Sequence, residues 1–355
     1  MRIAQVAPLY ESVPPKLYGG TERVVSQLTE ELVRQGHEVT LFASGDSRTR
    51  ARLMAQCPTG LRLDPSAIDH LALHMAMVED VCTRKSQFDI VHFHIDYLHF
   101  SCSSRDCLPS LTTLHGRLDI PELPAIYRLF PEMPVVSVST AQRTPLSWLN
   151  WQGTVHHGLN CGSFPSQKNR ENYLAFLGRI SPEKGPVEAI EIARRSGMKL
   201  KIAAKVDRVD REYFESTVRP LLSQPHVEFI GEIGEQERDQ FLGGASALLF
   251  PVNWPEPFGL VMIESMSCGT PVIAFAHGSV PEVIDDGVTG FIVNDVDSAV
   301  RATEKLHTID RYLCYQRFMQ RFSAKRMADD YLEIYRRLIG EKPERYALAS
   351  GAAAD

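Results

Sequence analysis

No stretch of this chain reaches about 18 consecutive apolar residues, so the sequence offers no candidate membrane span. The opening MRIAQVAPLYE also lacks the uninterrupted apolar core of a secretory signal, because Gln5, Pro8 and Glu11 break it. Cysteine is sparse: Cys57, Cys82, Cys102, Cys107, Cys161, Cys268 and Cys314 are odd in number and include no CxxC pair. They read as reduced thiols in a cytosolic protein, which excludes a disulfide-stapled module. An excess of basic charge is missing too, since 38 Lys+Arg stand against 44 Asp+Glu for a formal charge of −6. Nucleic acid is therefore not an expected partner. A full GxGxxG is absent, which counts against a dinucleotide fold, and there is no short-period repeat or long low-complexity tract. The expected location is the cytoplasm; peripheral contact with the inner face of a membrane stays open, because it needs only a basic or amphipathic patch.

What remains is globular. The chain has 355 residues, 44% hydrophobic and 23% charged, a length that suggests two domains. Short β-type runs alternate with helix-period stretches throughout, the pattern of open parallel sheets covered by helices, so the fold class is α/β. Strands are expected at Arg2–Val6, Val39–Ala43, Ile90–Phe93, Ser110–Leu114, Val135–Val138 and Thr154–His156. A helix over Thr21–Gln35 carries Val24, Val25, Leu28, Leu32 and Val33 on one face and stops at Gly36. Gly162–Asn172 has the composition of a linker. Beyond it, strands at Tyr173–Leu177, Leu200–Ala203, Val227–Ile230, Ala247–Phe250 and Pro271–Ala274 alternate with helical patterns at Val187–Ser196 and Arg211–Leu222. Met327, Tyr331, Ile334, Tyr335 and Leu338 predict a last amphipathic helix over Ser323–Ile339.

Four elements carry chemistry. Gly19-Gly20 lies between a strand and a helix, where close backbone approach and free N–H groups suit an anion, although a bare GG is more often a turn. GRISPEKG, Gly178–Gly185, follows a strand and precedes a helix; Arg179 and Lys184 would project where ligands collect in open α/β sheets, and two cations there suit a diphosphate. Solvated charge beside a Ser-Pro turn is an equal reading. In PVNWPEPFGLVMIESMSCGTPV, Glu256 sits in a Pro/Gly-framed loop and Glu264 on the following helix, whose start offers the N–H groups of Phe258, Gly259 and Leu260. Two carboxylates there suit paired hydroxyls of a sugar and a ribose. His115 closes a strand before Gly116. His92, His94, Asp96 and His99 resemble metal ligands, but no second cluster supports them and strand packing explains them equally, so no metal is expected.

Taken in order, MRIAQVAPLY with YGGTE, TLHG, GRISPEKG, EPFGLVMIESMSCGTPV and VPEVIDDGVTGFIV resemble the retaining nucleotide-sugar glycosyltransferases of family 4, along nearly the whole chain. The resemblance implies a GT-B architecture: two Rossmann-like domains, 1–160 on the acceptor side and 161–322 on the nucleotide-sugar side, facing a cleft. It also implies a helix over 323–340 that crosses back to the first domain, and the chain would end in a flexible tail, 341–355. The implied roles are residue by residue. Arg179 and Lys184 would bind the donor diphosphate, Glu264 the ribose hydroxyls, and Glu256 the donor sugar together with the N–H groups of Phe258, Gly259 and Leu260. Gly19 and Gly20 would lie near the distal phosphate and the acceptor, and His115 beside the transferred sugar. Asn160 stands where many relatives have aspartate, and His277-Gly278 replaces a frequent Gly-Gly. The segment between His115 and Val135 and the loop before Gly19 are the expected acceptor contacts.

The activity implied is retaining transfer from a nucleoside-diphosphate sugar, UDP-sugar first, to a hydroxyl of a glycan, a lipid-linked intermediate or a small molecule, as in polysaccharide or glycolipid synthesis. No cofactor is implied. Other readings are a GT-B epimerase or glycan phosphorylase, or a regulator that binds nucleotide sugar without turnover.

Overall fold

The structure is a computed structural model that describes residues 1–16, 19–105, 109–160, 164 and 171–340. Tyr18, Cys107, Cys161, most of the Gly162–Asn172 linker and the 341–355 tail lie outside the described residues. The chain divides into two compact units, one formed by Met1–Gly158 with the chain from Ala324, the other by Leu159–Ser323.

In the first unit the strands are β1 (Arg2–Val6), β2 (Glu38–Ala43), β3 (Arg52–Ala55), β4 (Ile90–Phe93), β5 (Ser110–Leu114), β6 (Val135–Ser137) and β7 (Trp151–Thr154). They form one sheet in the order β3-β2-β1-β4-β5-β6-β7. Every pairing is parallel. β4 and β5 are buried along their whole length, as strands covered on both faces must be, and their polar members His92, Ser110, Thr112 and Thr113 are buried with them. The helix α1 (Gly20–Arg34) buries Val24, Val25, Leu28 and Leu32. It closes with paired hydrogen bonds, from the Gly36 N–H to the Val33 carbonyl at 3.0 Å and from the His37 N–H to the Leu32 carbonyl at 3.1 Å.

The second unit repeats the plan. Its strands β8 (Tyr173–Arg179), β9 (Lys199–Lys205), β10 (Val227–Gly231), β11 (Ala247–Phe250), β12 (Val272–Phe275) and β13 (Gly290–Val293) lie in the order β10-β9-β8-β11-β12-β13. These pairings are parallel as well. The helices that frame its site are α2 (Pro186–Ser196), α3 (Glu235–Gly244) and α4 (Leu260–Ser267). In each unit the strand order reverses beside the first strand, at β1/β4 and at β8/β11. Ligands of open parallel sheets bind outside the carboxyl ends at such a reversal.

The last helix, α5 (Ala324–Gly340), belongs to the first unit, and its stripe of Met327, Ala328, Tyr331, Leu332, Ile334 and Tyr335 is buried. Arg326 ties it down by donating from Nη2 to the carbonyls of His156 at 2.6 Å and His157 at 3.0 Å. Gln35 Nε2 of α1 donates to Asp329 Oδ1 at 2.9 Å.

Two sequence expectations need correction. The strand expected at Thr154–His156 is β7, three residues earlier. As an edge strand it pairs with β6 alone and stays half-buried, so it has no apolar run to announce it, whereas Val155 is buried after the strand ends. The helix expected over Arg211–Leu222 is one short helical turn at Arg211–Tyr213, a widened π-type stretch at Phe214–Val218 and a 3-10 turn at Arg219–Ser223. Pro220 has no N–H to continue a regular ladder. Strands β3 and β13 and the helix His70–Thr83 are additions.

Candidate functional site

In the second unit, β8 ends at Arg179 and the chain makes a single 3-10 turn, Pro182–Lys184, before α2 begins. Gly185 joins them with φ +70°, and a Cβ there would stand 2.1 Å from the Pro251 carbonyl oxygen. Only glycine fits this contact. The Asn253 N–H donates to the Glu183 carbonyl at 2.9 Å, so the loop after β8 and the loop after β11 are fastened together.

That fastening assembles a cluster. Lys184 Nζ lies 2.5 Å from Glu256 Oε2, and Trp254 Nε1 donates to the same oxygen at 2.8 Å. The ammonium also stands 5.0 Å from the centroid of the Trp254 ring, within cation–π range. Gly278, at φ +57°, packs against the backbone of Glu256: a Cβ on it would lie 2.3 Å from the Glu256 carbonyl oxygen. Ser279 completes the brace, its N–H donating to the Glu256 carbonyl at 3.0 Å and its Oγ to the Phe258 carbonyl at 2.8 Å. His277, at the same turn, is exposed, as is Asn160 elsewhere in the unit.

Phe258 is buried, Gly259 caps α4 with φ +76°, and Leu260 is its first residue. The first N–H groups of a helix have no intrahelical acceptor and its dipole favours negative charge there. Arg179 faces three carboxylates: it pairs with Glu183, and lies 3.2 Å from Asp210 and 3.8 Å from Asp207, on the loop after β9. Burial pushes the Asp210 carboxyl up, against the pull of Arg179. Burial acts the same way on Glu183, but hydrogen bonds from the backbone, Ser181 and Arg179 outweigh it and hold that carboxyl down. Glu264 is buried in α4, with Oε1 3.3 Å from Arg238 Nη1 of α3. The unit thus brings Lys184, Glu256 and the start of α4 together, with Arg179 turned to the β9 loop and Glu264 held from α3.

In the first unit, Gly20 opens α1 and Gly19 precedes it, packed so that a Cβ would lie 2.7 Å from the Pro15 Cβ. Glu22, on the first turn, is buried, and burial raises its carboxyl above the usual range although a backbone hydrogen bond and Arg62 oppose this. His115 lies just beyond β5. Its Nε2 is 2.9 Å from His94 Nδ1, and its ring stacks on His157 with centroids 5.2 Å apart. Burial holds its imidazole down to about 3, so the ring is neutral. The metal-like cluster is occupied by hydrogen bonds instead: His92 with Thr113 and Tyr335, His94 with Gln5 and His115, His99 with Ser103 and Thr112. Among the described residues no three or more His, Cys, Asp or Glu are grouped to hold a metal ion. Cys268 and Cys314 are thiols pushed up to about 12 by burial, which leaves them poor nucleophiles.

Sequence reading missed Trp254, Arg238, Asp207, Asp210, Gln5 and Tyr335. Trp254 had a usable signal, two residues before Glu256 in the proline frame. Arg238 had none, because it lies on a polar helix 26 residues before its partner.

Two parallel doubly wound sheets, each with a reversal of strand order, and a last helix returned to the first unit define the GT-B architecture. The chain belongs to the family 4 glycosyltransferases. It matches the families described as Glycosyltransferase Family 4 over residues 18–184 and Glycosyl transferases group 1 over residues 163–312. It is 30% identical to the alpha-maltose-1-phosphate synthase of Mycobacterium tuberculosis, with 94% of this chain and 99% of that protein aligned. Among solved structures it is similar to AviGT4, a glycosyltransferase involved in avilamycin A biosynthesis, at TM-score 0.73 and 25% identity over 96% of this chain and 98% of that one. Anabaena HepE, solved with UDP and glucose, shares the fold at TM-score 0.71 and 18% identity, covering 94% of this chain and 98% of that one. The enzyme class is glycosyl transfer. No helix among the described residues is long and apolar enough to cross a membrane.

Proposed function

We propose that this glycosyltransferase takes its sugar from a nucleoside-diphosphate donor, a UDP-sugar first, and passes it with retention and without metal to a hydroxyl of a glycan, a lipid-linked intermediate or a small molecule. The cytoplasm, with contact at the inner face of a membrane, is the setting this reading favours. The observation that carries it is the Lys184–Glu256–Trp254 cluster at the carboxyl ends of β8 and β11. Lys184, Arg179 and the start of α4 are three positive poles around one sheet reversal. They suit a leaving diphosphate whose charge grows in the transition state. In the structure both cations rest on carboxylates, so donor binding exchanges one set of anions for another. Glu256, released by Lys184 and still held by Trp254, is the acceptor for hydroxyls of the transferred sugar; Glu264, held by Arg238, takes those of the ribose. Gly19, Gly20 and His115 serve the sugar and acceptor from the first unit. The neighbour solved with UDP and glucose and the relative named for α-maltose-1-phosphate support this reading.

In the step itself the bond from the anomeric carbon to the phosphate oxygen breaks as the acceptor oxygen bonds to that carbon on the same face. The acceptor's proton goes to the departing phosphate, so no separate strong base is needed. Purified protein incubated with a panel of nucleotide sugars and hydroxyl acceptors should release nucleoside diphosphate, unchanged by chelator, and NMR of the product should show the retained anomer. Inversion or a strict metal requirement would refute the mechanism. Isomerised donor formed without acceptor, or phosphate-dependent glycan cleavage, would replace it with an epimerase or a phosphorylase; binding without turnover would leave a regulator.

A further inference from the structure

A chain of hydrogen bonds runs through the interior of the first unit from α5 to His115. Gln5 Nε2, on β1, donates to the Tyr335 hydroxyl at 3.1 Å. Gln5 Oε1 faces His94 Nε2 at 2.8 Å, and His94 Nδ1 faces His115 Nε2 at 2.9 Å. Gln5, His94 and Tyr335 are all buried. Burial lowers both imidazoles well below their usual range, so each ring is neutral and carries one proton.

The amide sets the direction. Its oxygen only accepts, so His94 carries its proton on Nε2 and accepts at Nδ1. His115 must then donate from Nε2, which leaves Nδ1 as a lone pair. That nitrogen is covered and has no hydrogen-bond partner among the described residues. On the other side of the relay, the Tyr335 hydroxyl also lies 2.7 Å from His92 Nδ1. Buried polar groups persist at core positions only when they are satisfied, and apolar side chains would fill β1 and β4 at less cost. The one member left with an unsatisfied acceptor is the one at the carboxyl end of β5, beside the β1/β4 reversal where ligands bind.

We infer that Tyr335, Gln5 and His94 are positioning residues that hold His115 in the Nε2–H tautomer, so that Nδ1 accepts a hydrogen bond from a hydroxyl of the sugar substrate. The hydroxyl rests on the proposed glycosyl transfer; the tautomer does not.

The test is ¹⁵N NMR of the histidine rings in the full chain, with kinetics on the same samples. The wild-type protein should show His115 protonated at Nε2 and bare at Nδ1, with the Nδ1 resonance moving on addition of a nucleotide-sugar donor. Gln5→Met, which removes the acceptor, should scramble the tautomer and lower kcat about tenfold, the scale of one neutral hydrogen bond, with little change in KM for the donor. Gln5→Glu keeps an acceptor oxygen and should keep the tautomer and most of kcat. Tyr335→Phe, which frees the amide to rotate, should fall between them. A wild-type His115 protonated at Nδ1, or a kcat loss in Gln5→Met with the tautomer intact, overturns the inference. A wild-type protein with the expected tautomer that transfers no sugar overturns the glycosyl-transfer reading and the hydroxyl with it, while the relay stands.

Discussion

The second unit holds its polar groups by opposite charges at a partly open surface: Lys184 on Glu256, Arg179 among Glu183, Asp207 and Asp210. The first unit holds His92, His94 and His115 by neutral hydrogen bonds in an interior that suppresses charge. The Arg179 pairs with Glu183 and Asp207, nearly a third exposed, exchange partners readily because water and incoming ions screen them, whereas Lys184–Glu256 is more enclosed and needs an incoming anion to replace it. A buried neutral relay does not exchange; it fixes which atom of a ring carries the proton. The proposed function assigns the charged leaving group to the first arrangement and the uncharged sugar to the second.

The comparison is broken most directly at Lys184. Lys184→Ala should lower turnover about 10²–10³-fold, the loss seen when one donor to a developing anion is removed, in a protein that still folds but is less stable because buried Glu256 loses its cation. An intact turnover number would mean that the charged cluster is only structural. Next comes Gly278→Ala, which forces a left-handed residue and drives a Cβ into the Glu256 carbonyl. It should destabilise the protein by about 1–3 kcal/mol in urea denaturation and cut turnover at least tenfold, because Glu256 is displaced with it. A wild-type-like variant would show that this turn does not brace the carboxylate.

Tyr335→Phe should cost about 1–2 kcal/mol in the same measurement, since Gln5 and His92 both lose a buried partner. Its activity should depend on salt no differently from the wild type, whereas an Asp210→Asn change beside Arg179 should alter that dependence. The mildest effect is with pH. His92, His94 and His99 have folded values depressed below 6.5, so below that pH the unfolded chain takes up protons that the native protein refuses. Stability contributed by these rings is therefore present above about pH 6.5 and lost progressively as pH falls below it. Amide hydrogen exchange at β4 and β5 between pH 7.5 and 5 should show that loss; rising protection on acidification would reverse the sign and the account of the relay.

How much of this was legible depended on where the partners lie in the chain. The strand–loop–helix frames around Arg179, Lys184 and Glu256 could be read because proline and glycine mark them locally, and Gly185 and Gly278 turn out to be dictated by contacts with Pro251 and Glu256. The Met327–Tyr335 stripe announced α5 for the same reason: its period is local. The relay could not be read. Gln5 and Tyr335 are 330 residues apart, and nothing in either neighbourhood distinguishes a buried amide from a surface one. The cluster of histidines was visible but its meaning was not, because metal ligation and hydrogen-bonded packing use the same residues until their partners are known. The bounds of the edge strand β7 were misplaced because its residues are half-buried throughout, while the buried Val155 lies just past its end.

The central claim is that the charged cluster in the second unit binds a nucleotide-sugar diphosphate during transfer. Release of nucleoside diphosphate should be measured across a donor panel for the wild type and for folded Lys184→Ala. The account predicts acceptor-dependent release by the wild type with at least one donor and a loss of about 10²–10³-fold in the variant. Equal release by the two proteins would contradict it.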